Sequence, residues 1–123
     1  MRIFTLIFCV TFLFSITSCS KDNCIDDILG TYAGTESCQF IVFNISITLS
    51  SSGSNDILIT VPGSTAMTGS LDSSCNIITI QNQSVTSGRT NQIANGFLNI
   101  NNDNMTGTIT WSTGAVCDYN LNR

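Results

Sequence analysis

The chain contains no histidine. That absence removes the commonest general base, the usual activator of a serine or cysteine nucleophile and a favoured metal ligand, so Ser-His-Asp and Cys-His mechanisms are excluded. Proline occurs once, as Pro62. Basic side chains are scarce: Arg2, Lys21, Arg89 and Arg123 stand against eight acidic ones, for a formal charge of −4. Such a chain has no basic patch with which to hold a nucleic-acid backbone, and none for anionic lipid either. The only lysine, Lys21, lies close to the amino terminus. The many serines and threonines therefore have no activating partner in sequence and read as solvent faces of strands.

What is present begins with one apolar run, Ile3 to Ile16, which follows Met1-Arg2 and gives way to Thr17-Ser18-Cys19-Ser20-Lys21-Asp22. A basic start, an apolar centre and small residues at a cut site describe an export signal. Fourteen residues at about 1.5 Å each span roughly 21 Å, short of the roughly 30 Å hydrocarbon core, so a signal fits better than a membrane span. Ile16-Thr17-Ser18-Cys19 resembles the bacterial lipobox. The resemblance implies that residues 1–18 are a cleaved lipoprotein signal peptide and that Cys19 is lipidated, with an ordinary secretory signal and an incidental thiol as the alternative. Two or three acyl chains on Cys19 would hold the chain to a membrane essentially permanently, where a single one holds only marginally. Ser20-Lys21-Asp22 resembles the start of the surface-export signals of Bacteroidetes lipoproteins, which implies the outer membrane of a Gram-negative bacterium with exposure at the cell surface. A plain solvated tether is the other reading of the same residues. Loss of Arg2 with the signal takes the formal charge from −4 to −5.

The six cysteines sort by position. Cys9 leaves with the signal and Cys19 is the lipidated residue, which leaves Cys24, Cys38, Cys75 and Cys117. An even remainder in an exported chain reads as two disulfides with three connectivities open. The favoured pairing is Cys38 with Cys117 and Cys24 with Cys75, because Cys38 and Cys117 lie on the first and last predicted strands, which are neighbours in a closed barrel. A zinc site is disfavoured by the long spacings, the lack of any C-x2-C pair and the missing histidine. No metal and no cofactor are expected.

Beyond the anchor the apolar pattern has period two. Ile41, Phe43, Ile45, Ile47 and Leu49 alternate with Val42, Asn44, Ser46 and Thr48, which predicts a strand with one buried face. Asp56 to Val61 resumes after a serine-rich loop, and Pro62-Gly63 stops it. Met67 to Leu71 and Cys75 to Ile80 form a second predicted hairpin. Gln81 to Gln92 is polar, with a short strand around Val85 before the Gly88-Arg89 turn. Phe97 to Ile100 turns at Asn101-Asn102-Asp103-Asn104 into Met105 to Trp111, and Ala115 to Leu121 places Cys117, Tyr119 and Leu121 on one face. No stretch after the signal carries helical periodicity. The expectation is an all-β, antiparallel up-and-down meander of about seven or eight strands, closed into a small barrel to remove its edges, with a two-sheet sandwich as the alternative. The predicted organisation is a signal peptide over 1–18, a lipidated tether over 19–27 and a β-barrel domain over 28–123. Glycines recurring inside strands, at Gly34, Gly69 and Gly107, predict places where the sheet coils tightly.

Gly30-Thr31-Tyr32-Ala33-Gly34-Thr35, with Thr68-Gly69-Ser70-Leu71, Asn76 to Gln83 and the Cys117-bearing strand, resembles the small lipocalin-like lipoproteins of Bacteroidetes. The likeness covers most of the chain after the signal and implies a lipocalin-like (calycin-like) barrel. True lipocalins carry tryptophan where Tyr32 stands and are longer, which implies a less roomy interior here.

Carboxylates are the remaining candidates for chemistry. Asp56, Asp72 and Asp103 fall in predicted turns, where an aspartate's own backbone bonding explains it. Glu36 shares a predicted face with Tyr32, Gly34 and Cys38; it reads first as a rim residue, and if that face is inward it is a polar group in a pocket or a partner for Arg89. Asn99 to Asp103 has oxygen-bearing residues at alternate positions like a calcium loop, but Asn104 and Thr110 stand where the loop needs glycine and a bidentate acid, so a hairpin turn is expected. Tyr32, Phe40, Phe43, Phe97, Trp111 and Tyr119 read chiefly as core. Tyr32, Glu36, Trp111 and Tyr119 form the candidate pocket set. The expected function is non-enzymatic: a binding or interaction module held to the membrane through acyl chains on Cys19, taking a small apolar ligand or an envelope protein. A structural envelope protein without dedicated ligand is the alternative, and a carboxylate-based hydrolase, needing two carboxylates about 5 to 9.5 Å apart in a cleft, is the remote one.

Overall fold

Eight strands form where side chains alternate between apolar and polar: β1 Gly30–Cys38, β2 Ile41–Ser51, β3 Asp56–Thr60, β4 Met67–Leu71, β5 Ile77–Ser87, β6 Thr90–Asn101, β7 Asn104–Trp111 and β8 Val116–Asn122. The computed structural model describes residues 21–53 and 56–123, so the signal, the lipobox and Cys19 lie outside the described residues. Every strand pairs antiparallel with its sequence neighbours, and β1 also pairs with β8, closing an up-and-down barrel. Closure satisfies the backbone groups that a meander would leave bare along its first and last strands. The expected barrel is the observed one, and the sandwich is not formed.

Odd positions of β2 and β3 and even positions of β6 and β8's partner β1 turn inward, which follows from the pleat. One end of the barrel is filled by Tyr32, Ile47, Leu49, Ile57, Ile59, Ile78, Leu98, Met105 and Leu121, all buried. The chain enters through this end. Lys21–Ile28 forms a short helix, α1, where the sequence predicted only a tether. Eight residues are too few to show a helical period, yet Ile25 and Ile28 bury against the barrel floor, and the Cys24–Cys75 disulfide fastens the helix to the β4–β5 turn. Arg123 locks the same end: its guanidinium donates to the carbonyls of Asp27 at 2.9 Å and Leu29 at 3.0 Å. It also pairs with Asp103 at 3.2 Å. The Asn101–Asn104 segment is thus a hairpin turn with Asn102 at φ 55°, and its aspartate is spent on Arg123. Both disulfides and all eight described strands fall within Lys21–Arg123.

Two pairs of strands, β1 with β8 and β6 with β7, approach so closely that only glycine fits. A Cβ on Gly34 would stand 2.2 Å from the Asn120 carbonyl oxygen, and one on Gly107 would stand 2.1 Å from that of Phe97. These are the tight coils the repeated glycines predicted.

Elsewhere the structure departs from what alternation predicts. Ile41 and Phe43 share the inward phase of β2 but are 59% and 50% exposed, because the β1–β2 hairpin rises above the rest of the wall. β2 pairs with β3 only over Thr48–Ser51, so its upper half has a neighbour on the β1 side alone. Phe40, at the hairpin turn, and Phe97, on the outer face, are exposed as well, and neither belongs to the core. The polar stretch from Gln81 to Gln92 is strand on both sides of the Gly88-Arg89 turn. An irregularity between Ile80 and Gln83 shifts the phase, so that Ile78 and Ile80 point in and then Val85 does. β4 meets β5 through only Ser70 and Leu71. Above them the Gln83 amide substitutes for a rung, accepting from the Thr68 N–H and donating to the Thr68 carbonyl, each at 2.7 Å.

Candidate binding site

The end opposite α1 is hollow. A cavity of about 960 Å³ opens there, within the 300–1,000 Å³ range of small-molecule sites. This corrects the expectation of a less roomy interior. Its apolar wall comes from Ile45, Val61, Met67, Val85 and Trp111, and Glu36, Gln92 and Tyr119 supply polar groups. The barrel is hollow at this end for a reason legible in the strands. The inward positions of β1, β6 and β8 carry Gly34, Glu36, Cys38, Gln92, Cys117 and Tyr119 near the mouth. Toward the floor the same faces carry tyrosine, leucine and isoleucine.

Glu36 reaches the cavity because it follows Tyr32 and Gly34 at two-residue spacing on β1, and it stands directly across from Tyr119 of β8. The Tyr119 hydroxyl donates to Glu36 Oε1 at 2.6 Å, the length of a charge-assisted bond. Its partner is therefore Tyr119 and not Arg89. Burial, followed by the hydrogen bond to Glu36 and the nearby carboxylate charge, pushes the Tyr119 phenol well above its ordinary range, so the hydroxyl remains a proton donor, while the Trp111 N–H adds a weaker opposing contribution. Glu36 Oε2 receives no hydrogen bond, and no buried side-chain oxygen is left unpartnered among the described residues. The free oxygen is therefore accessible, on a residue that lines the cavity.

Two residues further along the same faces, Cys38 and Cys117 are opposite each other and joined as a disulfide. With Cys24–Cys75 this is the pairing favoured from the sequence. Glu36, Cys38 and Cys117 bring three potential ligand atoms within 4.8 Å of one another, but the two sulfurs are bonded together and offer no thiolate to a metal.

Of the four residues singled out from sequence, Glu36, Trp111 and Tyr119 line the cavity. Tyr32 does not: it is fully buried in the floor, donating its hydroxyl to the Ile28 carbonyl at 2.8 Å. Burial raises its pKa, with the Arg123 charge opposing and Asp103 assisting. Alternation along the sequence does not reveal Gln92, Val85 or Val61 as lining residues: Val85 follows the β5 irregularity, and Gln92 is a polar residue on the inward face of β6. Among the described residues Glu36 is the only carboxylate in the lining. Asp118 faces outward, accepting from Thr108 at 2.8 Å, and Asp72 serves the β4–β5 turn, accepting from the N–H groups of Asn76 and Ile77 at 2.9 Å.

Fold and cavity together define a small eight-stranded antiparallel barrel with one plugged and one open end. No protein-family model matches the chain, and no curated protein shows significant similarity to it.

Proposed function

We propose that this protein is a lipid-anchored envelope lipoprotein of the small lipocalin-like kind, and that its barrel is a binding module for a small, largely apolar molecule. The observation that carries the reading is the cavity of about 960 Å³ at one end of a barrel that is otherwise tightly filled. An interior packed throughout would have favoured a purely structural envelope role. A few convergent polar groups on an apolar wall are the usual make-up of a ligand site, and Glu36 with Tyr119 supplies them here. The Ile16-Thr17-Ser18-Cys19 motif supports the anchor, and the Ser20-Lys21-Asp22 resemblance favours the outer membrane of a Gram-negative bacterium as its location.

Two measurements test the reading. Metabolic labelling with a fatty acid, comparing wild type with Cys19→Ala and combined with protease shaving of intact cells, is expected to label only the wild type. Unlabelled wild-type protein would remove the anchor from the proposal. Native mass spectrometry of the chain released from its own envelope is expected to show a retained small molecule; neither a retained molecule nor a copurifying protein would count for the structural role instead.

A further inference from the structure

We infer that the cavity selects amphiphiles with a cationic head: a substituted ammonium or similar cation seated against Glu36, with the apolar portion inside the barrel. The inference rests on the ligand-binding reading above and specifies the chemical class that site takes.

Charge balance at Glu36 selects the head group. Among the described residues Glu36 is the single charged side chain in the cavity lining, and it is only partly buried. One of its oxygens is engaged by Tyr119 and the other is open to the cavity. Among the described residues no cation pairs with it. Arg123 is committed at the far end to Asp103 and two carbonyls. Lys21 belongs to α1 at that same far end. Arg89 is in the β5–β6 turn at the open end but is not among the lining residues. An anionic head entering here would meet a like charge away from bulk water, which is unfavourable. A neutral head would strip water from the carboxylate without replacing its charge partner.

A cation, by contrast, completes the pair. Glu36 offers a free carboxylate oxygen, and Trp111 and Tyr119 place two aromatic rings in the same lining. Aromatic faces attract cations, tryptophan most strongly. The Tyr119 hydroxyl is already turned to Glu36 and cannot be surrendered to the ligand without breaking a 2.6 Å bond, so it holds the carboxylate in place while the open oxygen meets the guest. The wall below, with Ile45, Val61, Met67 and Val85, is uncharged and suits an alkyl or ring system.

Trp111 is the only tryptophan in the sequence, so its fluorescence reports the cavity without labelling. The test uses the oxidised protein released from its own envelope and three probes sharing one eight-carbon tail: octyltrimethylammonium, octanol and octanoate, each kept below its aggregation threshold. The cation is expected to bind about ten-fold or more tightly than octanoate, roughly the worth of one charge-assisted contact. Glu36→Gln, which keeps the shape and the hydrogen bond from Tyr119, is expected to bring the two within about two-fold of each other. Equal binding of all three probes to the wild type would overturn the head-group inference while leaving the ligand-binding reading standing. So would a preference that survives in Glu36→Gln. If no probe changes either Trp111 emission or the thermal midpoint, both readings fall together.

Discussion

The guanidinium of Arg123 lies over the ring of Tyr32, 5.3 Å from its centroid, at the plugged end of the barrel. The last residue of the chain thereby covers the residue on which the first strand is seated, and it also ties down the carbonyls at the end of α1. Arg123→Ala is expected to lower stability by about 2 kcal/mol, since hydrogen bonds from a charged donor are worth roughly 1.5–3 kcal/mol and part of this group is exposed. Asp103→Ala should cost under about 1 kcal/mol, because that side chain is 71% exposed and a surface ion pair contributes little. Arg123→Lys should recover less than half of the loss, a point charge being unable to bridge two carbonyls and a carboxylate. Urea unfolding curves of the three variants give the ranking.

The two disulfides should separate in what they protect. They close 79 and 51 residues, and on a chain-entropy account each is worth roughly 4 kcal/mol, with only a few tenths between them. Their local effects differ. Replacing Cys24 and Cys75 by serine should accelerate hydrogen exchange in α1 while leaving the mouth unchanged. The same replacement of Cys38 and Cys117 should accelerate it at the ends of β1 and β8. Exchange read by mass spectrometry would refute this if both variants loosened the same segments.

Gly34→Ala is a test of strand approach. The added carbon would meet the Asn120 carbonyl oxygen at 2.2 Å and Leu121 Cα at 2.8 Å, and backbone cannot rotate away as a side-chain tip can. A loss of about 3 kcal/mol is expected, at the upper end for overpacking. Thr35→Ala, one residue on and exposed, should change stability by less than about 0.5 kcal/mol. Thermal midpoints decide between them.

Both tyrosines of the chain, Tyr32 and Tyr119, have phenols held above their ordinary pKa, in each case chiefly by burial. The unfolded chain would release these protons near pH 10 while the folded one retains them. The stability associated with the neutral phenols is therefore complete below about pH 10 and declines as pH rises beyond it. Phenolate absorbance near 295 nm should appear together with loss of near-ultraviolet circular dichroism, in one step. A phenolate signal well ahead of unfolding would contradict the burial of both rings.

The acid side carries its own signature. Asp72 is held below the usual carboxylate value, first by the Ser74 hydroxyl and then by the backbone N–H of Ile77. Its contribution is present above the ordinary aspartate pKa and is lost as pH falls through the lowered one. Asp72→Ala, which leaves the Asn76 and Ile77 N–H groups without their acceptor, should cost about 1 kcal/mol at neutral pH and less in acid. Parallel urea titrations at the two pH values check the sign.

Much of the fold was legible because a strand's face is written in its alternation. Ile57 with Ile59, Met105 with Ile109, and Cys117 with Tyr119 all turn inward as their spacing indicates. Alternation gives a face but not a height, which is why Ile41 and Phe43 read as core and stand exposed above the wall. It also fails where the phase slips, as between Ile80 and Gln83, and that slip concealed Val85 as part of the cavity, while Gln92 keeps the phase of β6 and was concealed by being polar. The helix at Lys21–Ile28 was concealed by its length, its placement depending on a disulfide and two buried isoleucines rather than on a repeating stripe. At the site itself, Glu36 was found by its position two residues from Gly34 and from Cys38. Its partner was not, because the match of Glu36 to Tyr119 depends on the register of strands 83 residues apart.

Under the proposed anchor at Cys19, the helix in the floor would set which way the cup is held. Cys19 would be separated by a single residue from the start of α1, and α1 is pinned under the barrel by Cys24–Cys75. A leash attached there works like a stem, carrying the bowl with its rim outermost. A molecule dissolved in the anchoring leaflet would then face the closed base and find no doorway. Cargo would have to come and go through the aqueous side, or be handed over by another protein.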